Sequence, residues 1–308
     1  MNFALIKDFA LIKPQALPPG SRVAIVSPAS IIDPAYVDGA VTTLRSWGYD
    51  PVVFPHALGE CGSYSGTVAG RVADLAGALT DPSIRAVLCS RGGYGTVHIL
   101  EELSRLPLRD DPKWIIGFSD ISALHALMAS RGIASIHGSM CKHLALQPDC
   151  APAKALRAIL TGEYPAYDAP AQPLNRPGTA SGRLVGGNMA VLGGLVGTPY
   201  DIFAPGTVLF IEDIAEPIYK VERLLYQLRL KGVLGSLAGL IVGRFTDYRP
   251  DRNYPDMYAM IADMTTPYGY PVAFDFPCGH TDDNMPLIES LDVTLTVDAA
   301  GTRLVYKN

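Results

Sequence analysis

From Arg22 onward the chain alternates short apolar, β-branched runs with longer stretches in which apolar residues recur at helical spacing. The runs are Arg22–Ser27, Asp50–Phe54, Ile84–Cys89, Lys113–Gly117 and Ala134–His137. Helical spacing fills Pro34–Trp47, Arg71–Leu79, Thr96–Leu103 and Ile121–Ser130. Strands alternating with helices in this way build a parallel sheet joined by crossover helices. Residues 1–146 are therefore predicted to form a doubly wound α/β domain.

Between Gln147 and Gly182 the alternation stops, with six prolines among small and polar residues and one short helical piece at Ala153–Leu160. Such a stretch reads as a linker, 147–182. The remainder, 183–308, reads as a smaller, β-rich α/β domain. Its strands are Gly206–Ile211, Gly239–Val242, Tyr270–Phe274, Asp292–Val297 and Arg303–Tyr306, and its helix Tyr219–Leu230 gathers Val221, Leu224, Leu225 and Leu228 on one face. The segment Met1–Pro14 is interrupted by Lys7 and Asp8 and reads as a leader strand or tail. No apolar run approaches the roughly 20 residues that cross a bilayer, so no membrane partner is expected.

Composition sharpens this picture. With 48% hydrophobic and 18% charged residues the chain can bury a large core and is not a disordered one. A net charge of −5 supplies no basic field for nucleic acid. Cys61, Cys89, Cys141, Cys150 and Cys278 are scattered without a C-x-x-C pair, which fits free thiols in a reducing cytoplasm.

In open α/β sheets functional groups collect just past the carboxyl ends of the strands. The first such turn, Ser27-Pro-Ala-Ser30, lacks dinucleotide-binding glycines, so no cofactor is expected. The third strand runs into Ser90-Arg-Gly-Gly-Tyr-Gly95, whose backbone N–H groups could converge on an anion or an oxyanion, or merely make a tight turn. The fourth ends in Gly117-Phe-Ser-Asp120 with a helix directly after it. Ser119 thus sits where a nucleophile elbow exposes its hydroxyl, although the same residues suit a helix cap. Ser90 and Cys278 are rival nucleophiles. Among six histidines, His280, in the polar loop Cys278–Asn284, is the best base, and His137 is a credible pocket residue. Glu212 and Asp213 end an apolar run, where carboxylates either orient a base or exit to water. His280 with Asp282, Asp283 and Asn284 is a weaker candidate for a hard cation, and no metal is expected.

These segments, together with Leu184-Val-Gly-Gly-Asn188, Leu209-Phe-Ile-Glu-Asp213 and the continuous stretch Gly186–Phe245, resemble the LD-carboxypeptidase family of muramoyltetrapeptide carboxypeptidases. The resemblance runs from about Gly20 to the C-terminus. It implies a flavodoxin-like N-terminal domain, a homodimer, and a serine peptidase triad of Ser119, His280 and Glu212. It also implies an oxyanion hole from the N–H groups of Gly93 and Asp120. The implied substrate is a cytoplasmic murein tetrapeptide, which loses its terminal D-alanine. Arg91, Gly92, His137, Asn188 and Arg244 are candidates to bind it. Two alternatives stand beside this reading. One is a sister peptidase resembling the self-immunity enzymes for microcin C-type antibiotics, for which neither Trp47 nor Trp114 offers an evident adenine stack. The other is a non-catalytic binder of a small anion.

Overall fold

The computed structural model describes residues 10–307. Of the N-terminal segment Met1–Pro14, residues 1–9 lie outside that range, while Ile12 bridges Ile133 in parallel.

The first half runs β1 (Arg22–Val26), α1 (Pro34–Ser46), β2 (Asp50–Val53), α2 (Val68–Thr80), β3 (Ile84–Cys89), α3 (Leu100–Leu103), β4 (Trp114–Gly117), α4 (Ser122–Ser130) and β5 (Ser135–His137). It continues through α5 (Cys141–Leu146) and α6 (Ala151–Leu160) to β6 (Tyr167–Pro170), β7 (Gly178–Asn188) and α7 (Met189–Gly193). Next come β8 (Val208–Ile214), α8 (Ile218–Leu230), β9 (Gly239–Thr246), α9 (Met257–Thr265), β10 (Val272–Ala273), β11 (Leu287–Glu289), β12 (Asp292–Asp298) and β13 (Gly301–Tyr306). Local chemistry sets several ends. Asp33 caps α1 by accepting from the Ala35 N–H ahead of Pro34, and Thr67 caps α2 through the Gly70 N–H.

The first sheet has the order β2-β1-β3-β4-β5-β11. Its first five strands are parallel in the flavodoxin-like order, as the alternation predicts. The sixth is a departure. β11 comes from the far end of the chain and pairs antiparallel with β5, Leu287 opposite His137 and Glu289 opposite Ser135. The second sheet runs β10-β9-β8-β7-β12-β13-β6, parallel from β10 to β7 and antiparallel beyond. The proline-rich stretch therefore contains more than connection: α6 packs Leu156, Ile159 and Leu160 inward, and β6 closes the edge beside β13.

Because side chains alternate across a strand, each sheet feeds two apolar cores. Ala24, Val26, Leu209 and Ile211 share one, while Val23, Ile25, Val208 and Phe210 share the other. Each core thus runs without a break from one sheet to the other. On α8 the buried positions are Ile218, Val221, Leu225 and Leu228, each worth about 1.5–3 kcal/mol of burial.

Candidate active site

β4 ends at Gly117, where a Cβ would sit 2.9 Å from the Ile121 side chain, so the chain turns sharply there. Two residues on, Ser119 has φ 65°, a left-handed conformation that costs a non-glycine residue on the order of 1–3 kcal/mol. That strained elbow opens the short 3₁₀ turn Ser119–Ile121 and sets its hydroxyl above the sheet.

Gly92 fits against this hydroxyl. A Cβ on it would lie 2.7 Å from Ser119 Cβ and 3.0 Å from Ser119 Oγ. Gly93, at φ 106°, is held from behind: a Cβ there would strike Ser30 Oγ. Ser30 also receives the Tyr94 N–H at 3.2 Å and donates its own N–H to Gly92 O at 3.2 Å. Gly92→Ala is expected to lower kcat by about 100-fold, since an ångström-scale displacement of a reacting group costs that much. Turnover measured beside a thermal melt checks it: near-normal kcat in a folded variant would contradict the contact.

The acid lies where the β8–β9 ladder slips register, between Ile211 and Asp213. Such irregularities re-aim side chains, and here Glu212 points into the interior, 0% exposed. Asp213 is tied down by Ala190 N–H, Asn188 Nδ2 and its neighbour Ile214 N–H, and burial followed by the Glu212 charge raises its pKa to about 6. His280, following β10, meets both partners. Its Nδ1 is 2.7 Å from Glu212 Oε2 and its Nε2 is 3.0 Å from Ser119 Oγ. Burial pushes the imidazole down, but the hydrogen bond and charge of Glu212, with Asp213 and Asp247 behind it, leave its pKa raised. A hydroxyl, an imidazole and a buried carboxylate in one file can generate an alkoxide nucleophile and store its proton.

The remaining sequence candidates fall into place around this file. Ser90 is 1% exposed and shares a hydrogen bond with Ser27 Oγ at 2.5 Å, so it faces inward and is no nucleophile. Cys278 is fully buried and burial raises its thiol pKa. Asp120 accepts the Thr96 N–H at 2.8 Å, tying the elbow to the glycine loop. Arg91 remains exposed, with Nη1 donating to Ile31 O at 2.9 Å.

Three of the substrate-binding candidates are engaged within the fold itself. Asn188 is buried as the cap of α7, with both ends of its amide engaged by Asp213 and Val191 N–H. Arg244 is neutralised by Asp275 at 2.9 Å and Asp283 at 3.4 Å. His137 is 0% exposed and lies behind the site. Of the polar 280s loop, Asp283 is that partner of Arg244 and Asn284 accepts the Gly279 N–H; no group of three or more His, Cys, Asp or Glu side chains among the described residues is placed to hold a metal. Trp114 is buried, its Nε1 donating to Gln15 O.

Sequence reasoning passed over Ser30 and Arg71. Arg71, 2% exposed, donates to Pro28 O at 2.7 Å and Gly95 O at 2.8 Å and so braces the glycine loop from beneath. The available signal was an arginine on the buried face of α2, alongside Leu75, Ala78 and Leu79.

Known proteins resemble this chain in sequence and in fold. The chain is 34% identical to a probable murein peptide carboxypeptidase of Bacillus subtilis, over 87% of this chain and 86% of that one. It is 31% identical to the murein tetrapeptide carboxypeptidase of Pseudomonas aeruginosa, over 87% and 90%. A muramoyltetrapeptide carboxypeptidase from Oxalobacter formigenes superposes with a TM-score of 0.84 at 26% identity, covering 93% of this chain and 99% of that one. The microcin C7 self-immunity protein MccF, in complex with aspartyl sulfamoyl adenosine, shares the fold, with a TM-score of 0.83 at 21% identity over 96% and 98%. Among the described residues no helix is long and apolar enough to cross a membrane. Residues 23–138 match the LD-carboxypeptidase N-terminal domain and residues 181–295 the LD-carboxypeptidase C-terminal domain, so the chain belongs to the LD-carboxypeptidase family.

Proposed function

We propose that this protein is a serine carboxypeptidase that removes the terminal D-alanine of murein tetrapeptides by cutting an L,D peptide bond. The observation that carries the reading is the file from Ser119 Oγ through His280 to Glu212, closed at 3.0 and 2.7 Å. His280 takes the Ser119 proton as the hydroxyl attacks the scissile carbonyl. Glu212 stays ionised and fixes the imidazole tautomer. The N–H groups of Gly93 and Asp120 meet the developing oxyanion, each such donor being worth about 100- to 1,000-fold in rate. The imidazolium then protonates the departing D-alanine nitrogen, and water attacks the acyl-enzyme by the same relay. Arg91, exposed beside Gly92, is the group we assign to the substrate carboxylate, because a guanidinium matches a carboxylate in two parallel hydrogen bonds. A cytoplasmic homodimer acting in peptidoglycan recycling completes the reading.

The test is release of D-alanine from purified murein tetrapeptide, with a diaminopimelate or a lysine at the third position. Release from either peptide is expected. No release from both, with hydrolysis of an aminoacyl sulfamoyl nucleoside instead, would transfer the assignment to an antibiotic-cleaving peptidase.

A further inference from the structure

Four rings stand in file behind the nucleophile. Phe210 on β8, two residues before Glu212, meets His137 edge-on at 5.2 Å; His137 meets Phe118 at 5.7 Å; Phe118, directly before Ser119, meets His280 edge-on at 5.0 Å. Ring pairs at these separations attract through their quadrupoles, so the column joins the strand of the acid, the elbow of the nucleophile and the base.

His137 is the member that packing does not explain. It is fully buried and neither ring nitrogen has a hydrogen-bond partner. A phenylalanine would fill the same space without burying two unpaired polar atoms, each of which costs about 1–3 kcal/mol. Burial, with His125 and His280 close by, depresses its pKa to about 3, so the ring is neutral and offers one donor and one acceptor. Asn284, three residues before the Leu287 that β11 sets opposite His137, is also fully buried and interacts with the ring. Asn284 Oδ1 accepts the Gly279 N–H at 2.9 Å, while its Nδ2 lacks a partner of ordinary geometry. A buried amide and a buried imidazole, each with unfilled hydrogen-bonding capacity, therefore lie beside one another. Gly279 is the residue before His280, and it is wedged: a Cβ there would lie 2.9 Å from Arg244 O and 3.1 Å from Glu212 Cβ.

We propose that His137 is a positioning residue for the base, pairing with Asn284 to fix Gly279 and, through it, the angle at which the His280 ring meets Ser119 and Glu212. The inference rests on the reading of His280 as general base. It gives a histidine with no access to substrate a role in the rate. Asn284 becomes the link between the first sheet and the base loop.

A double-mutant cycle tests it. His137→Phe and Asn284→Ala are each expected to lower kcat by about tenfold with KM within about twofold, and the double variant to lose about tenfold rather than a hundredfold, because the two act as one unit. His137→Phe gains an apolar fit but strands the buried Asn284 amide, so its melting temperature is expected within a few degrees of wild type. Wild-type kcat in His137→Phe, multiplicative losses, or a loss that tracks a falling melting temperature would overturn the proposal. If His137→Phe does not fold, His137→Gln replaces it: its retained acceptor must keep kcat within about threefold while Asn284→Ala loses about tenfold, and equal losses count against the pairing. Labelling of Ser119 by a fluorophosphonate reads base activation without any murein peptide. A wild type that neither labels nor turns over overturns both readings, whereas equal labelling of wild type and His137→Phe overturns this one alone.

Discussion

Ser119→Ala is expected to lower kcat for D-alanine release by about 10⁴- to 10⁶-fold, the loss seen when the nucleophile of a serine triad is removed. The expectation is specific to this serine. Ser90 is locked in a buried hydrogen bond with Ser27, and the thiol of Cys278 is buried, so neither stands ready to take over. The variant should fold, because alanine removes one oxygen and leaves the elbow's backbone, Phe118 packing and the Asp120–Thr96 tie in place. Its melting temperature is expected within a few degrees of wild type. Residual turnover above about a hundredth of wild type would mean that another group, or a bound water, attacks the carbonyl.

Glu212→Gln is expected to lower kcat by about 10⁴-fold, since an amide in place of the carboxylate stabilises the wrong imidazole tautomer and no imidazolium. It also makes a signed prediction for pH. The base must be neutral to accept a proton, so activity rises as pH climbs through the His280 pKa. In the wild type Glu212 outweighs burial and holds that pKa above the ordinary imidazole value, which shifts the acid limb of kcat/KM upward. With the charge removed, burial of the ring prevails and the acid limb moves down. A pH profile of the residual activity measures both effects. An unmoved acid limb would show that the limb belongs to another group.

The first sheet was legible because its strands and helices differ in period over long, uninterrupted stretches, and all five parallel strands fall within a residue or two of expectation. The second sheet was less so. β7 is glycine-rich, with Gly182 and Gly186 tight against the backbones of Gly206 and Phe210 and Gly187 against the Ser122 side chain, and so shows no alternating side-chain pattern. β11 is three residues long and pairs with a strand about 150 positions away, a contact that no local pattern encodes. α9 (Met257–Thr265), uniformly apolar in places and lying after a polar loop, also escaped the periodic reading.

For the site, position after a strand nominated Ser119, Glu212 and His280, and the structure places those side chains in contact. Position after a strand equally nominated His137 and Asn188, which are buried. The rule finds residues near a sheet's carboxyl edge but not the direction they face. Arg71 and Ser30 support the glycine loop from neighbouring elements, and only the folded chain brings them to it.

The antiparallel pairing of β11 with β5 limits how the two halves of the candidate site can part. Only six residues, 281–286, separate the His280 imidazole from β11, so the base is tethered to the nucleophile's own sheet and cannot swing away as a rigid half-molecule without unzipping that edge.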